Sequence, residues 1–118
     1  MDFKIIDQKT SEGPIVKEGD NVEFYYKLAL SEDKLNSGEF LESTYSPDIP
    51  IRLKLSKTTM LLGLYKGMVG MKSGGSIRRI FIPPELGYGN SAWHEIPPNA
   101  NLVIEICVCR IIYDEPEN

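Results

Sequence analysis

With 118 residues, 42% of them hydrophobic and 25% charged, and a formal net charge of −4, the chain has the size and balance of one domain around a single core. It holds no run of 18 apolar residues, no basic-then-apolar leader at Met1 to Lys4, and only Cys107 and Cys109 as cysteines. These features argue against a membrane-spanning helix, an export signal and a disulfide framework, so a reduced, cytoplasmic setting is expected.

In chain order, Phe3 to Asp7 reads as a strand, and Val22 to Leu30 is a β-branched and aromatic run that reads as another. Ser31 to Gly38 is polar and is expected to be a surface connection. Ile51 to Leu55 is a third strand. Between Lys57 and Met68 the apolar positions Met60, Leu61, Leu64 and Met68 change to helical spacing, with Thr58 or Ser56 as N-cap and Gly67 near the end. Gly70 and Gly75 stand apart as in a phosphate loop, but Ser76-Ile77 occupies the place where Lys and Ser/Thr are needed, so Gly74-Gly75 reads as a tight turn. Ile77 to Ile82 and Leu102 to Ile112 complete the strands. In the last, Leu102, Ile104, Ile106 and Val108 form the core face, with Val103, Glu105, Cys107 and Cys109 opposite. One short helix among several strands argues α+β. The expected organisation is one domain over residues 1–113 and an acidic tail over 114–118.

The residues restrict the chemistry. A nucleophilic triad needs an oriented histidine, and the sole histidine, His94, sits beside Trp93 in a loop that reads as solvated. Cys107 and Cys109 are alternate residues of a strand, roughly 6.5 to 7 Å apart at Cα, near the limit for a disulfide. They read as packed thiols, and no metal site or cofactor is expected. From Ile49 to Pro84 there are seven basic residues (Arg52, Lys54, Lys57, Lys66, Lys72, Arg78, Arg79) and no acid. They are not interleaved with aromatics as a single-strand nucleic-acid platform requires, and read instead as strand faces complementing neighbouring acids.

Near the end, Pro83-Pro84-Glu85-Leu86-Gly87-Tyr88-Gly89 and Ile96-Pro97-Pro98-Asn99-Ala100 set two rigid corners around a loop. Gly87 and Gly89 let the backbone pass close on either side of Tyr88, whose hydroxyl supplies a polar tip. With Gly13-Pro14, Gly19-Asp20-x-Val22 before Tyr25, Gly38-x-Phe40 and Gly63-x-x-x-Gly67-Met68-x-x-Met71-Lys72-x-Gly74 upstream, the chain resembles the FKBP-type prolyl isomerases from about residue 3 to residue 112.

The resemblance implies an antiparallel, curved sheet wrapped around one short helix, with a cleft between them. It implies a peptidyl-prolyl cis-trans isomerase for X-Pro bonds with apolar X, helping slow folding steps as a chaperone does. Its partners would be proline-containing peptides or unfolded proteins, with no nucleic acid and no membrane, and a monomer is expected. Carried over by position, Tyr25, Phe40, Ile51, Met60, Leu61, Leu64, Tyr88, Ile96 and Ile104 surround the cleft. The Leu61 N–H and the Tyr88 hydroxyl hold substrate carbonyls, and Trp93 covers the cleft or meets a partner. Amide rotation has a barrier of about 18 to 20 kcal/mol and breaks no bond, so no nucleophile is required.

Four positions depart from the family's drug-binding pattern. The usual floor tryptophan is Leu64, two wall phenylalanines are Ile51 and Ile104, and the aspartate after Phe40 is Leu41, with Glu42 expected to face away. The departures imply a wider, less aromatic pocket, weak binding of tacrolimus or rapamycin, and reduced turnover. The alternative is a binding module that keeps the cleft but has little or no isomerase activity.

Overall fold

The computed structural model describes residues 1–45 and 48–113. Its elements are β1 (Lys4–Lys9), β2 (Asn21–Ala29), α1 (Glu32–Ser37), β3 (Glu42–Ser43), β4 (Ile51–Lys54), α2 (Leu62–Met68), β5 (Ser76–Ile82) and β6 (Leu102–Ile112). All pairings are antiparallel, in the order β1-β5-β6-β2-β3, and β4 pairs with the start of β2. The α+β architecture is therefore the expected one. The tail expected over 114–118 lies outside the described residues, among which no helix is long and apolar enough to cross a membrane.

Period-two alternation builds the core. Val22, Phe24 and Leu28 of β2 and Leu102, Ile104, Ile106 and Val108 of β6 are buried on one face, together with Met68 of α2, Met71, Leu55, Ile80 and Ile82. Fully burying such a side chain stabilises by about 1.5 to 3 kcal/mol, against about 0 to 1 kcal/mol for an exposed ion pair. Apolar packing therefore holds α2 to the sheet. Contact is close because α2 turns glycine toward β5: a Cβ on Gly67 would lie 2.3 Å from Ile80 Cδ1, and one on Gly63 would lie 2.5 Å from Ile82 Cγ2.

Near its end β6 carries a bulge. Phe24 pairs with Val108 and Glu23 with Arg110, so Cys109 is the extra residue, and beyond it Ile111 returns to the core side. The turn before β5 uses Gly74 and Gly75 at φ 97° and 109°, with their N–H groups donating to the carbonyls of Cys109 and Val108. Among the described residues, the three arginines of the basic segment are ion-paired and its four lysines are not. Arg52 and Arg110 meet Glu23, Arg78 meets Asp7, and Arg79 bridges Glu105 and Glu32. The Arg52 guanidinium, helped by Arg110, holds the Glu23 carboxyl below its ordinary range.

Two local expectations are corrected. The polar stretch after Ser31 contains a helix, α1. Ser31 Oγ accepts from the Lys34 N–H, Glu32 and Asp33 occupy the first turn, and Gly38 closes the helix at φ 84°. One apolar residue suffices to anchor it: Leu35 packs with Ala29, Phe81, Val103 and Phe40 in a small second cluster. At α2, neither Ser56 nor Thr58 is the cap. The helix starts after Leu61 without a side-chain cap, and Ser56 Oγ instead accepts from the Thr58 N–H in the preceding turn.

Candidate active site

Between the core face of the sheet and the start of α2 lies a cavity of about 200 Å³. β2 brings Phe24, Tyr26 and Leu28 to it, β4 brings Ile51 and Leu53, and β6 brings Ile104. Met60 and Leu61 enter from the approach to α2, and Leu64 from its first turn. Tyr88 comes from the loop after β5. Ile51, Met60, Leu61, Leu64, Tyr88 and Ile104 of the expected site therefore converge, and the lining is aliphatic at the three positions expected to be so.

The Tyr88 loop is held by its own backbone. Pro84 opens a 3-10 turn through Leu86, the Gly89 N–H donates to the Pro84 carbonyl at 2.8 Å, and the Asn99 N–H donates to the Gly89 carbonyl at 2.8 Å. Gly89 sits at φ 62°, where a side chain would be strained. Trp93 and Ile96 exchange two backbone hydrogen bonds around His94 and Glu95, and the exposed His94 takes φ 52° and meets Trp93 edge-on. The indole of Trp93 stacks on the Tyr88 ring at 5.8 Å and 9°. Trp93 and Ile96 thus border a second cavity of about 170 Å³, which adjoins the first through Glu42.

Two donors of lining residues are unengaged. The Tyr88 hydroxyl and the Leu61 N–H make no hydrogen bond with another described residue. Leu61 is extended, at φ −54° and ψ 140°, so its N–H precedes the helical ladder while its carbonyl accepts from the Tyr65 N–H. Burial, and then the nearby Glu42 carboxylate, raise the Tyr88 phenol above its ordinary value. Among the described residues no three His, Cys, Asp or Glu side chains gather as metal ligands.

Two expected lining residues lie elsewhere, and each has a neighbour in its place. Tyr25 points to the other face of β2, where its hydroxyl donates to Asp48 Oδ1 and its ring stacks on Tyr45 at 5.2 Å. That bond pushes its pKa up to about 12. Tyr26 enters the cavity instead, and its hydroxyl donates to Glu42 Oε2 at 2.5 Å. Burial, and then this bond, raise the Tyr26 phenol. The signal was present in the alternation of Val22, Phe24, Tyr26 and Leu28 against Glu23, Tyr25 and Lys27.

Phe40 is likewise outside, packed with Leu35 and Phe81 beneath Lys27, whose Nζ is 5.2 Å from the ring centroid. Leu41 turns to the main core, its N–H donating to the Leu28 carbonyl, and Glu42 pairs with Leu28 at the cavity. The carboxylate expected to be lost at Leu41 is therefore supplied one residue later. The expectation that Glu42 faces away is overturned by its bond to Tyr26.

A family model described as FKBP-type peptidyl-prolyl cis-trans isomerase matches residues 13–109. FK506-binding protein 4 of Chaetomium thermophilum is 35% identical over 107 residues, covering 91% of this chain and 21% of its own length. The FKBP-type peptidyl-prolyl cis-trans isomerase FkpA of Buchnera aphidicola is 39% identical over 103 residues, covering 86% of this chain and 37% of its own. The chain thus spans from about a fifth to under two fifths of these relatives. Among solved structures, the N-terminal domain of FKBP42 from Arabidopsis thaliana superposes with a TM-score of 0.79 and 26% identity, covering 94% of this chain and 87% of that one.

Proposed function

Because the chain belongs to the FKBP-type peptidyl-prolyl cis-trans isomerase family, matched over residues 13–109, we propose that it isomerises X-Pro bonds with apolar X in the cavity beneath Tyr88. The observation that carries this reading is the pair of unengaged donors, Tyr88 hydroxyl and Leu61 N–H, over an aliphatic floor. In such a space the proline ring is desolvated, and the charge-separated resonance form that stiffens the amide is disfavoured. The two donors bind flanking carbonyls and grip the twisted geometry. Each tenfold in rate requires about 1.4 kcal/mol of binding realised only in that geometry. Assistance to slow folding steps in a cytoplasmic, reducing setting suits the two free thiols, Cys107 and Cys109.

A second reading, a binding module with little turnover, is favoured by Leu64, Ile51 and Ile104, which stand where the resemblance expects aromatic rings. Exchange of a Leu-Pro peptide followed by NMR decides between the two. Acceleration by the wild type that falls about two- to tenfold in Tyr88→Phe, the loss of one hydrogen bond worth about 0.5 to 1.5 kcal/mol, supports the isomerase. A folded wild type that leaves the exchange rate unchanged, against a working control, supports the binding module.

A further inference from the structure

The second cavity, about 170 Å³, opens beside the first and is bordered by Leu41, Glu42, Trp93, His94, Glu95 and Ile96. Its electrostatics differ from those of the rest of the sheet. The acids of the strands are compensated: Glu23 by Arg52 and Arg110, Glu105 by Lys27 and Arg79, Asp7 by Arg78. Around this cavity Glu42 and Glu95 have no ion-pair partner among the described residues, and Glu42 accepts only through Oε2, from Tyr26. No lysine or arginine borders the space. The Trp93 indole, held in place on Tyr88, is still 49% exposed and keeps ring surface free at the rim. Two carboxylates and an indole with no cation between them favour a positive guest, through Coulomb attraction and the negative face of the ring.

We propose that this cavity is a subsite for a basic side chain, so that the preferred ligand is an apolar X-Pro segment with a lysine or arginine beside it. The inference rests on reading the first cavity as the X-Pro site. Glu42 borders both cavities, so a chain with its proline in the first passes the second within a residue or two. The net charge of −4 adds a weaker long-range attraction of the same sign.

The test uses Ac-Lys-Leu-Pro-Ala-NH2 and Ac-Ala-Leu-Pro-Lys-NH2, each with versions carrying Gln or Glu in place of Lys. Affinity is read by chemical-shift titration and turnover by exchange NMR, at low and high salt. One of the lysine peptides is expected to bind about three- to tenfold tighter than its glutamine version, with the glutamate version weakest and the spread shrinking in high salt. Glu95→Lys, on an exposed turn, is expected to reverse the order of the lysine and glutamate peptides. Equal affinity for all three versions, or a lysine preference that Glu95→Lys leaves intact, overturns the subsite, and the isomerase reading stands if those peptides are accelerated. Tighter binding of a lysine peptide without acceleration of any peptide supports the subsite and removes the isomerase reading. Neither binding nor acceleration overturns both.

Discussion

Tyr26 and Leu64 set what the cleft offers a ligand. The hydroxyl of Tyr26 aligns the Glu42 carboxylate at the cavity, so the carboxylate expected to be missing from it is present one residue after Leu41. The aliphatic floor at Leu64 and the aliphatic walls at Ile51 and Ile104 remain. Leu64→Trp should therefore tighten tacrolimus by about five- to thirtyfold in calorimetry, as expected for one added aromatic contact of about 1 to 2 kcal/mol. Unchanged affinity would mean that the ligand does not reach the floor. At this scale the sequence was readable wherever alternation was unbroken. The apolar positions of β2 already separate Tyr26 from Tyr25, and the carry-over by motif overrode that signal. Phe40, Leu41 and Glu42 were not readable in the same way, because the passage from α1 into the two-residue β3 has no period to count.

Among elements, the seat of α2 on β5 is a close contact. Gly67→Ala would drive a methyl to within 2.3 to 2.9 Å of three Ile80 carbons. Overpacking of this kind costs about 1 to 3 kcal/mol, offset by about 1 kcal/mol of helix-propensity gain of alanine over glycine, for a net loss of up to about 2 kcal/mol. The urea midpoint should fall accordingly, and a midpoint equal to that of the wild type would show that Ile80 can move aside. The sequence marked α2 by the spacing of Met60, Leu61, Leu64 and Met68, and the core face of β6 by four alternate apolar residues. It marked α1 too, by Ser31, Glu32, Asp33 and Gly38, although a single buried leucine leaves a helix of six residues looking like a polar loop. The bulge at Cys109 had no such mark, since it depends on which residue of β2 lies opposite.

For the whole molecule, the titrating groups predict the alkaline limit of stability. The folded state holds Cys109 up to about 11, mainly by burial, and Tyr25 up to about 12, mainly through Asp48. Tyr26, Tyr45, Tyr65 and Tyr88 are also raised. Ordinary values are 9.0 for the thiol and 10.0 for the phenols, so above about pH 9 the unfolded chain binds fewer protons than the folded one. Their contribution is complete below pH 9 and is lost as pH rises through 11 and 12. Urea midpoints measured from pH 7 to 11 should stay level and then fall, and a midpoint that holds to pH 11 would contradict the raised values. The near-parallel stack of Trp93 on Tyr88 has a practical consequence, because Trp93 is the only tryptophan in the chain. All indole emission from the folded protein originates at the mouth of the cleft. A peptide or macrolide that enters, and a denaturant that loosens the loop, will each shift that single colour, so occupancy and integrity of the site can be followed by light without a label.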